Sequence, residues 1–206
     1  MTPEENILQT AVELFFKYGI KSVTMDDIAK QLSMSKKTIY NYYSNKNEIV
    51  LALTSAHFKN NICECEMLAK NSKDAVFEMV GMMHQISVAF AQMNPTVVYD
   101  LQKYHPEAWQ LFKNFKEKNI SKLMEDNLKK GIEQGLYRNE INIKVLVRLR
   151  LEEVEMASTP SIYDPNKFDL KEVQLELLNH FLHGITTIKG HKLITRYKKM
   201  MIENAI

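Results

Sequence analysis

The first fifty residues alternate apolar and polar positions in a pattern that predicts three short helices. Residues 4–18 place an apolar side chain at every third or fourth position, the period of an amphipathic helix, and Gly19 is placed to end it. A second apolar face follows at Ile28 and Ala29, and a third helix is predicted after Ser35. Because these segments are short and closely spaced, they predict a small three-helix domain.

Capping signals mark where the second and third helices begin. Thr24 and Asp27 have the spacing of a capping box, and Ser35 is a favourable N-cap for a helix that starts at Lys36. This spacing predicts two helices joined by a tight turn at residues 33–34, which is the layout of a helix-turn-helix.

The third helix is predicted to have one buried and one exposed side. Ile39 and Tyr43 are four residues apart, so both point inward. A short exposed helix with Lys, Thr, Tyr and Asn side chains fits the major groove of DNA, where such groups reach phosphates and base edges. The outward residues are Lys36, Lys37, Thr38, Tyr40 and Asn41.

The order of these motifs resembles the TetR/AcrR-type bacterial transcriptional regulators. The chain reads Phe-x-x-x-Gly, Thr-x-x-x-Ile-Ala, Ser-x-x-Thr-Ile-Tyr-x-Tyr-Tyr and Asn-Lys-x-Glu between residues 15 and 48. The resemblance implies an all-α fold, with a helix-turn-helix DNA-binding head at residues 1–46 and a larger helical effector-binding and dimerisation body at residues 47–206. Members of this family usually have a glycine in the turn where this chain has Ser33 or Met34, which predicts strained or altered turn geometry.

The resemblance divides the DNA contacts into two groups. Base edges are expected to be read by Lys36, Lys37, Thr38 and Asn41. Phosphates are expected to be held by Thr24, Tyr40, Tyr42 and Lys46. Lys46 would act together with the free backbone N–H groups at the start of a fourth helix.

The body is helical and apolar, without a second sequence motif. Its predicted helices cover about residues 47–68, 73–93, 106–134, 143–158 and 169–189, followed by a basic tail helix at 191–203. Core packing explains its apolar residues, but a subset could also line an effector cavity, because Met adapts to varied shapes. That subset is Met79, Met82, Met83, Ile86, Phe90, Trp109 and Phe112.

Two further features of the body bear on ligands and partners. The carboxylates near Glu152 are unusual in a helix expected to pack on both sides, so one of them is expected either to face a cavity or to form a salt bridge. The last predicted helix is apolar over an arc wider than one buried face requires, which predicts contact with a second subunit. The interface residues proposed are Val173, Leu177, Phe181 and Ile185.

Composition narrows the function further. The net charge is only +2, yet residues 28–47 contain four Lys and no acid, which indicates a positive field at the recognition segment. No stretch is apolar enough to span a membrane. Two Cys and the lack of a signal peptide fit a reducing cytoplasm. Catalytic and phosphate-binding motifs are missing, the His180–His183 pair lacks further ligands, and neither an enzyme nor a cofactor or metal is expected.

The resemblance therefore implies a homodimeric regulator, a repressor that binds a double-stranded, near-palindromic DNA operator and is released from it by an unknown small-molecule effector. Two alternatives stay open. One is a DNA-binding regulator controlled by a protein partner, without a small-molecule effector. The other is a ligand-sensing or redox-sensing module with a vestigial DNA head.

Overall fold

The computed structural model describes residues 2–91, 93–94 and 96–203, and the regular secondary structure of this part of the chain is helical, with no strand. One isolated antiparallel bridge joins Tyr137 and Thr186. The elements are α1 (Pro3–Tyr18), α2 (Met25–Gln31), α3 (Lys36–Tyr40), α4 (Lys46–Asn71), α5 (Ala75–Ala91), α6 (Thr96–Tyr104), α7 (Pro106–Phe115), a π turn (Lys116–Ile120), α8 (Ser121–Glu133), α9 (Ile143–Met156), α10 (Leu170–Ile185) and α11 (Ile188–Glu203).

The chain divides into two compact units. Unit 1 comprises residues 1–60 and 92–114, and unit 2 comprises residues 61–91 and 115–206. The all-α fold is therefore confirmed. The functional division at residue 46 stays a prediction, because compactness alone does not assign a task to either part.

Unit 1 is built on the apolar faces that the periodicity predicted. Ile7, Ala11 and Ile28 are fully buried or nearly so, and they share one core with Ile39 and Ile49. The N-terminus of α1 is closed by a capping box between Thr2 and Glu5, and its C-terminus by Gly19, whose φ of +82° suits a residue without Cβ.

Unit 2 has a separate core formed where α5, α8, α10 and α11 pack together. Leu128, Leu182 and Ile194 lie at its centre. Tyr137 is also buried there, and its hydroxyl donates to the backbone oxygen of Ala75 at 3.0 Å. This bond satisfies a polar group that would otherwise be costly to bury.

The structure corrects two predicted boundaries. The helix predicted at 106–134 is interrupted by the π turn, where the hydrogen-bond pattern widens by one residue. The helix predicted to reach residue 189 ends at Ile185, because the backbone then turns to pair with another segment. Arg138 N donates to Ile185 O, and Thr187 N donates to Leu136 O, both at 2.9 Å.

The proposed dimer residues need a correction as well. Val173, Phe181 and Ile185 are buried, and the last two belong to the core of unit 2. The wide apolar arc of α10 is therefore covered by the same chain, and these three side chains are not available to a partner. Leu177 is half-buried, so it alone of the four stays a predicted interface residue.

Candidate nucleic-acid interface

The turn between α2 and α3 is closed by backbone hydrogen bonds of the Schellman type. Met34 N donates to Ala29 O at 3.0 Å, and Ser33 N donates to Lys30 O at 3.1 Å. Ser33 has a φ of +53°, the one positive φ at a non-glycine position in the described residues. The strain predicted from the missing turn glycine is therefore present, and it lies at Ser33.

The start of α3 is fixed by Ser35, as predicted. Ser35 Oγ accepts a hydrogen bond from Thr38 N at 3.1 Å. Ile39 is fully buried and Tyr43 nearly so, which anchors the inner side of the helix. The Tyr43 hydroxyl donates to Glu4 Oε1 at 3.3 Å, and burial, with a smaller contribution from Glu4, raises the pKa of Tyr43 to about 12.

The outward side of α3 and its flanks is accessible. The predicted DNA-contacting residues Thr24, Lys36, Lys37, Tyr40, Asn41 and Tyr42 are exposed, while Thr38 and Lys46 are half-buried. Tyr40 and Tyr42 expose 42% and 44% of their surface, which is a large exposed fraction for aromatic side chains. The structure thus brings Lys36, Lys37, Tyr40 and Asn41 together on one short helix and its C-cap.

Lys36 is engaged by an acid that sequence reasoning missed. Its Nζ lies 2.7 Å from Asp26 Oδ1, and this ion pair raises the pKa of Lys36. Asp26 lies in the first turn of α2, ten positions before Lys36, so no helical period links the two. A phosphate that binds Lys36 must compete with this carboxylate, and the positive field is weaker than the count of residues 28–47 indicated.

Two hydroxyls in the predicted set already have internal partners. Thr24 Oγ1 donates to Asp27 Oδ2 at 2.7 Å and accepts from Asp27 N at 3.2 Å, which completes the predicted capping box. Hydrogen bonds from Thr24 lower the pKa of the Asp27 carboxyl. Thr38 Oγ1 lies 2.7 Å from Ser35 Oγ. Both hydroxyls therefore help to hold α2 and α3 in place.

Lys46 is directed into the head rather than toward solvent. Its Nζ donates to the backbone oxygens of Ile20 at 2.9 Å, Val23 at 2.8 Å and Lys21 at 3.3 Å. Three acceptors match the three donors of an ammonium group. Burial lowers the pKa of Lys46, against the carboxylates of Asp100 and Asp27, which raise it. This geometry gives Lys46 a structural task, so we leave it out of the proposed phosphate contacts.

The loop held by Lys46 is also held from α6. Buried Asp100 accepts a hydrogen bond from Lys21 N through Oδ2 at 2.8 Å. Nearby His105 is buried, and its Nδ1 has no hydrogen-bond partner among the described residues. Burial and the charge of Lys46 lower the pKa of His105, while Asp100 opposes them. The α1–α2 loop is thus supported by polar groups from α4 and α6.

The predicted ligand residues fall into different units. Met79 is fully buried in the core of unit 2, and Met82, Met83 and Ile86 pack against that core. Phe90 is half-buried in the same unit. Trp109 and Phe112 belong to unit 1, where their rings stack at 4.7 Å. A ligand site made of all these residues stays a prediction.

Glu152 forms a salt bridge, one of the two roles expected for a carboxylate of this helix. It is exposed and forms a surface ion pair with Arg148, one turn earlier on α9. The buried carboxylate of this helix is that of Glu153, which accepts from Arg150 Nη1 at 3.1 Å. Periodicity cannot choose among three neighbouring glutamates, because the choice depends on which neighbours cover the helix.

The remaining candidates for chemistry are the histidines, the cysteines and other possible metal ligands in the described part of the chain. It contains no group of three or more His, Cys, Asp or Glu that could hold a metal ion. Of the His180–His183 pair, His183 forms a hydrogen bond with a third histidine: its Nδ1 lies 3.0 Å from His191 Nε2. Both cysteines are free, and burial raises the pKa of Cys65. No described helix is long and apolar enough to cross a membrane.

Residues 7–53, which include α2, α3 and their turn, match the family described as bacterial regulatory proteins, tetR family. The helix-turn-helix segment of this chain therefore matches the TetR family. The chain is 25% identical over 186 residues to the HTH-type transcriptional regulator YvaF of Bacillus subtilis, covering 89% of this chain and 95% of YvaF. The chain is therefore similar to TetR-family transcriptional regulators, most specifically in its helix-turn-helix segment.

Solved structures share this fold. FadR from Bacillus subtilis, solved in complex with stearoyl-CoA, aligns with a TM-score of 0.62 at 19% identity and covers 88% of this chain and 98% of that chain. A transcriptional regulator from Saccharomonospora viridis, solved in complex with choline, aligns with a TM-score of 0.68 at 19% identity, with coverages of 89% and 97%. At these identities the likeness shows the all-α fold of the TetR family.

Proposed function

We propose that this protein is a homodimeric TetR-type repressor that binds a near-palindromic operator through α3 and leaves it when a small molecule binds the body. The observation that carries the DNA-binding part is the exposed side of α3, held in place by the buried Ile39 and the cap at Ser35. Two such helices would enter successive major grooves about 34–36 Å apart.

The division of contacts follows from what is accessible. Lys36, Lys37, Thr38 and Asn41 are proposed to reach base edges, with Asn41 suited to bidentate recognition of adenine. Thr24, Tyr40 and Tyr42 are proposed to contact phosphates, which fixes the register on the duplex. With Lys46 committed to backbone oxygens, few cations are left for phosphates, so affinity would depend on two heads binding together.

Small-molecule control is proposed from the relatives. Two regulators of the same fold were solved with stearoyl-CoA and with choline, ligands of very different chemistry. A fold that accommodates both is suited to effector binding in general, and it supports no single effector for this chain. Effector and operator would then be linked reciprocally, with a coupling of about 1–3 kcal/mol.

The test uses the full-length protein and fluorescence anisotropy on DNA taken from upstream of its own gene. We expect salt-dependent, sequence-specific binding. Asn41→Ala should lower discrimination at one base pair by ~1–3 kcal/mol, because a bidentate contact is lost. Lys37→Gln should weaken binding more than Lys129→Gln, which removes an exposed cation paired on α8. Equal binding to unrelated DNA, or uniform losses in every variant, would contradict the proposed reading role of α3.

A further inference from the structure

The π turn buries a lysine in unit 2. An extra residue per turn shifts the helical register, and the first residue of this segment, Lys116, exposes only 3% of its side chain. Turns of this type often mark functional sites, because they place a side chain where a regular helix would not. Lysine is seldom buried so completely without a partner of opposite charge.

Glu155 on α9 is the partner of Lys116. Lys116 Nζ lies 2.5 Å from Glu155 Oε2. An ammonium group has three N–H donors, and Glu155 is its one acceptor among the residues that the structure describes. The other two N–H groups of this buried ammonium therefore have no acceptor among the described residues. Unmet donors in such surroundings are unfavourable, and any group that accepts from them gains strength from the low local dielectric.

The pair lies on the seam between the π turn and α9, which contact each other. Next to it, Arg148 forms ion pairs with Glu117 of the π turn and with Glu152. These three side chains are all about half exposed or more, whereas Lys116 is buried. Glu155 and the side chains beside this pair are therefore accessible to solvent to differing degrees, while Lys116 is buried.

The unequal exposure of the two partners decides which charge a ligand should carry. Glu155 exposes 30% of its side chain, so it can turn toward water when another anion takes its place. A cationic ligand would instead displace Lys116 from Glu155 and leave a buried ammonium without a counter-charge, which is strongly unfavourable. An anion is the ligand that this arrangement tolerates.

We propose that Lys116 anchors the anionic group, a carboxylate or a phosphate, of a small-molecule ligand that displaces Glu155. This inference rests on the proposed effector-responsive function and adds the charge of the effector and the residue that recognises it. Displacement of Glu155 removes a direct tie between the π turn and α9, so ligand binding changes the constraint between these two elements.

The test compares four probes of equal chain length on the full-length protein by isothermal titration calorimetry: octanoate, octyl phosphate, octan-1-ol and octylamine. We expect at least one of the two anions to bind about tenfold or more tightly than the alcohol, since hydrogen bonds to charged groups contribute that much, and octylamine not to bind measurably. Whichever anion binds better identifies the carboxylate or the phosphate as the preferred head group.

Three variants locate the site. Lys116→Met keeps the aliphatic stem and should remove the preference for anions. Glu155→Gln should instead strengthen anion binding, because the competing carboxylate is gone. Its amide oxygen can still accept a hydrogen bond from Lys116, and thermal unfolding followed by circular dichroism verifies that the variant folds. Arg148→Gln, in the neighbouring surface pair, should leave anion binding within about twofold of the original.

The outcomes separate this proposal from the proposed function. If anions bind no better than octan-1-ol, or if Glu155→Gln weakens their binding, the anchor role of Lys116 is wrong. If an anion binds in a Lys116-dependent manner while operator affinity stays unchanged, the anchor stands and the effector role of the site fails. Operator release by the same anion supports both.

Discussion

Ser33 shows how a single residue sets the geometry of the DNA-binding head. The Schellman turn after α2 requires a left-handed backbone, and Ser33 supplies it with a φ of +53°. A residue with a Cβ pays for this conformation with about 1 kcal/mol or more relative to glycine. The side chain of Ser33 is exposed, so no packing contact offsets that cost.

We therefore expect Ser33→Gly to stabilise the protein by about 0.5–1 kcal/mol, measured by urea unfolding followed by circular dichroism. The matched control is Ser55→Gly, at an exposed position inside α4, which should destabilise by a similar amount because helical φ gives glycine no advantage. A destabilising Ser33→Gly would show that the serine side chain contributes more than its backbone conformation costs.

Local sequence signals predicted the caps and the buried face of the head, because both depend on neighbours within four positions. Thr24, Ser35 and Ile39 are confirmed in those roles. The role of Lys46 was not predictable in this way, because its acceptors are backbone oxygens more than twenty residues earlier. A lysine at a helix start is equally compatible with a phosphate and with a carbonyl cluster, and only the folded loop distinguishes them.

At the scale of elements, the α2–α3 pair combines two cations of α3 with an acid of α2. Asp26 holds Lys36 at 2.7 Å, and both side chains are more than half exposed. Such a surface pair adds little to stability. Its consequence is electrostatic, because the carboxylate lies next to the residues proposed to meet a polyanion.

Asp26→Asn is expected to strengthen binding to all DNA sequences alike. Removing the carboxylate strengthens the positive field that meets the DNA backbone, and the slope of log K against log salt should steepen by up to about 0.9, the contribution of one neutralised phosphate. Anisotropy titrations at several salt concentrations measure both effects. Asp126→Asn, which removes a carboxylate paired with Lys122 on α8, is the control and should change neither. An unchanged slope in Asp26→Asn would mean that this carboxylate does not act on the DNA backbone.

Element boundaries that depend on distant contacts were not predictable from periodicity. The end of α10 is fixed by backbone pairing with residues near Tyr137, almost fifty positions earlier. Helix number and order were nevertheless close to the prediction, because each helix has its own apolar face.

For the molecule as a whole, the apolar pattern predicted more exposed apolar surface on α10, available to a second subunit, than the structure has. Most of the apolar arc of α10 packs in the core of unit 2, against α5 among other elements. Two apolar side chains of α9 are exposed instead, Val145 at 60% and Leu149 at 46%. They are four residues apart and so share one face of the helix. Half-buried Leu177 of α10 stays a separate predicted interface residue.

We expect the protein to sediment as a dimer of about twice the 24.0 kDa chain mass at micromolar concentration. A stable interface usually buries more than about 1,200 Å² in total, and charges placed at its centre oppose association. The double variant Val145→Glu with Leu149→Glu should therefore sediment as a monomer and bind the operator far more weakly, because its two heads are no longer linked.

The control for this variant is Ile188→Glu. It replaces an apolar side chain that is 80% exposed at the start of α11 by a charged one. It should leave both the mass and the operator affinity unchanged. A wild-type monomer would contradict the dimer itself. A dimer that survives the two glutamates would instead move the interface away from this face of α9. Since one head offers few cations to the phosphates, the loss of operator binding should follow the loss of the dimer at every protein concentration tested.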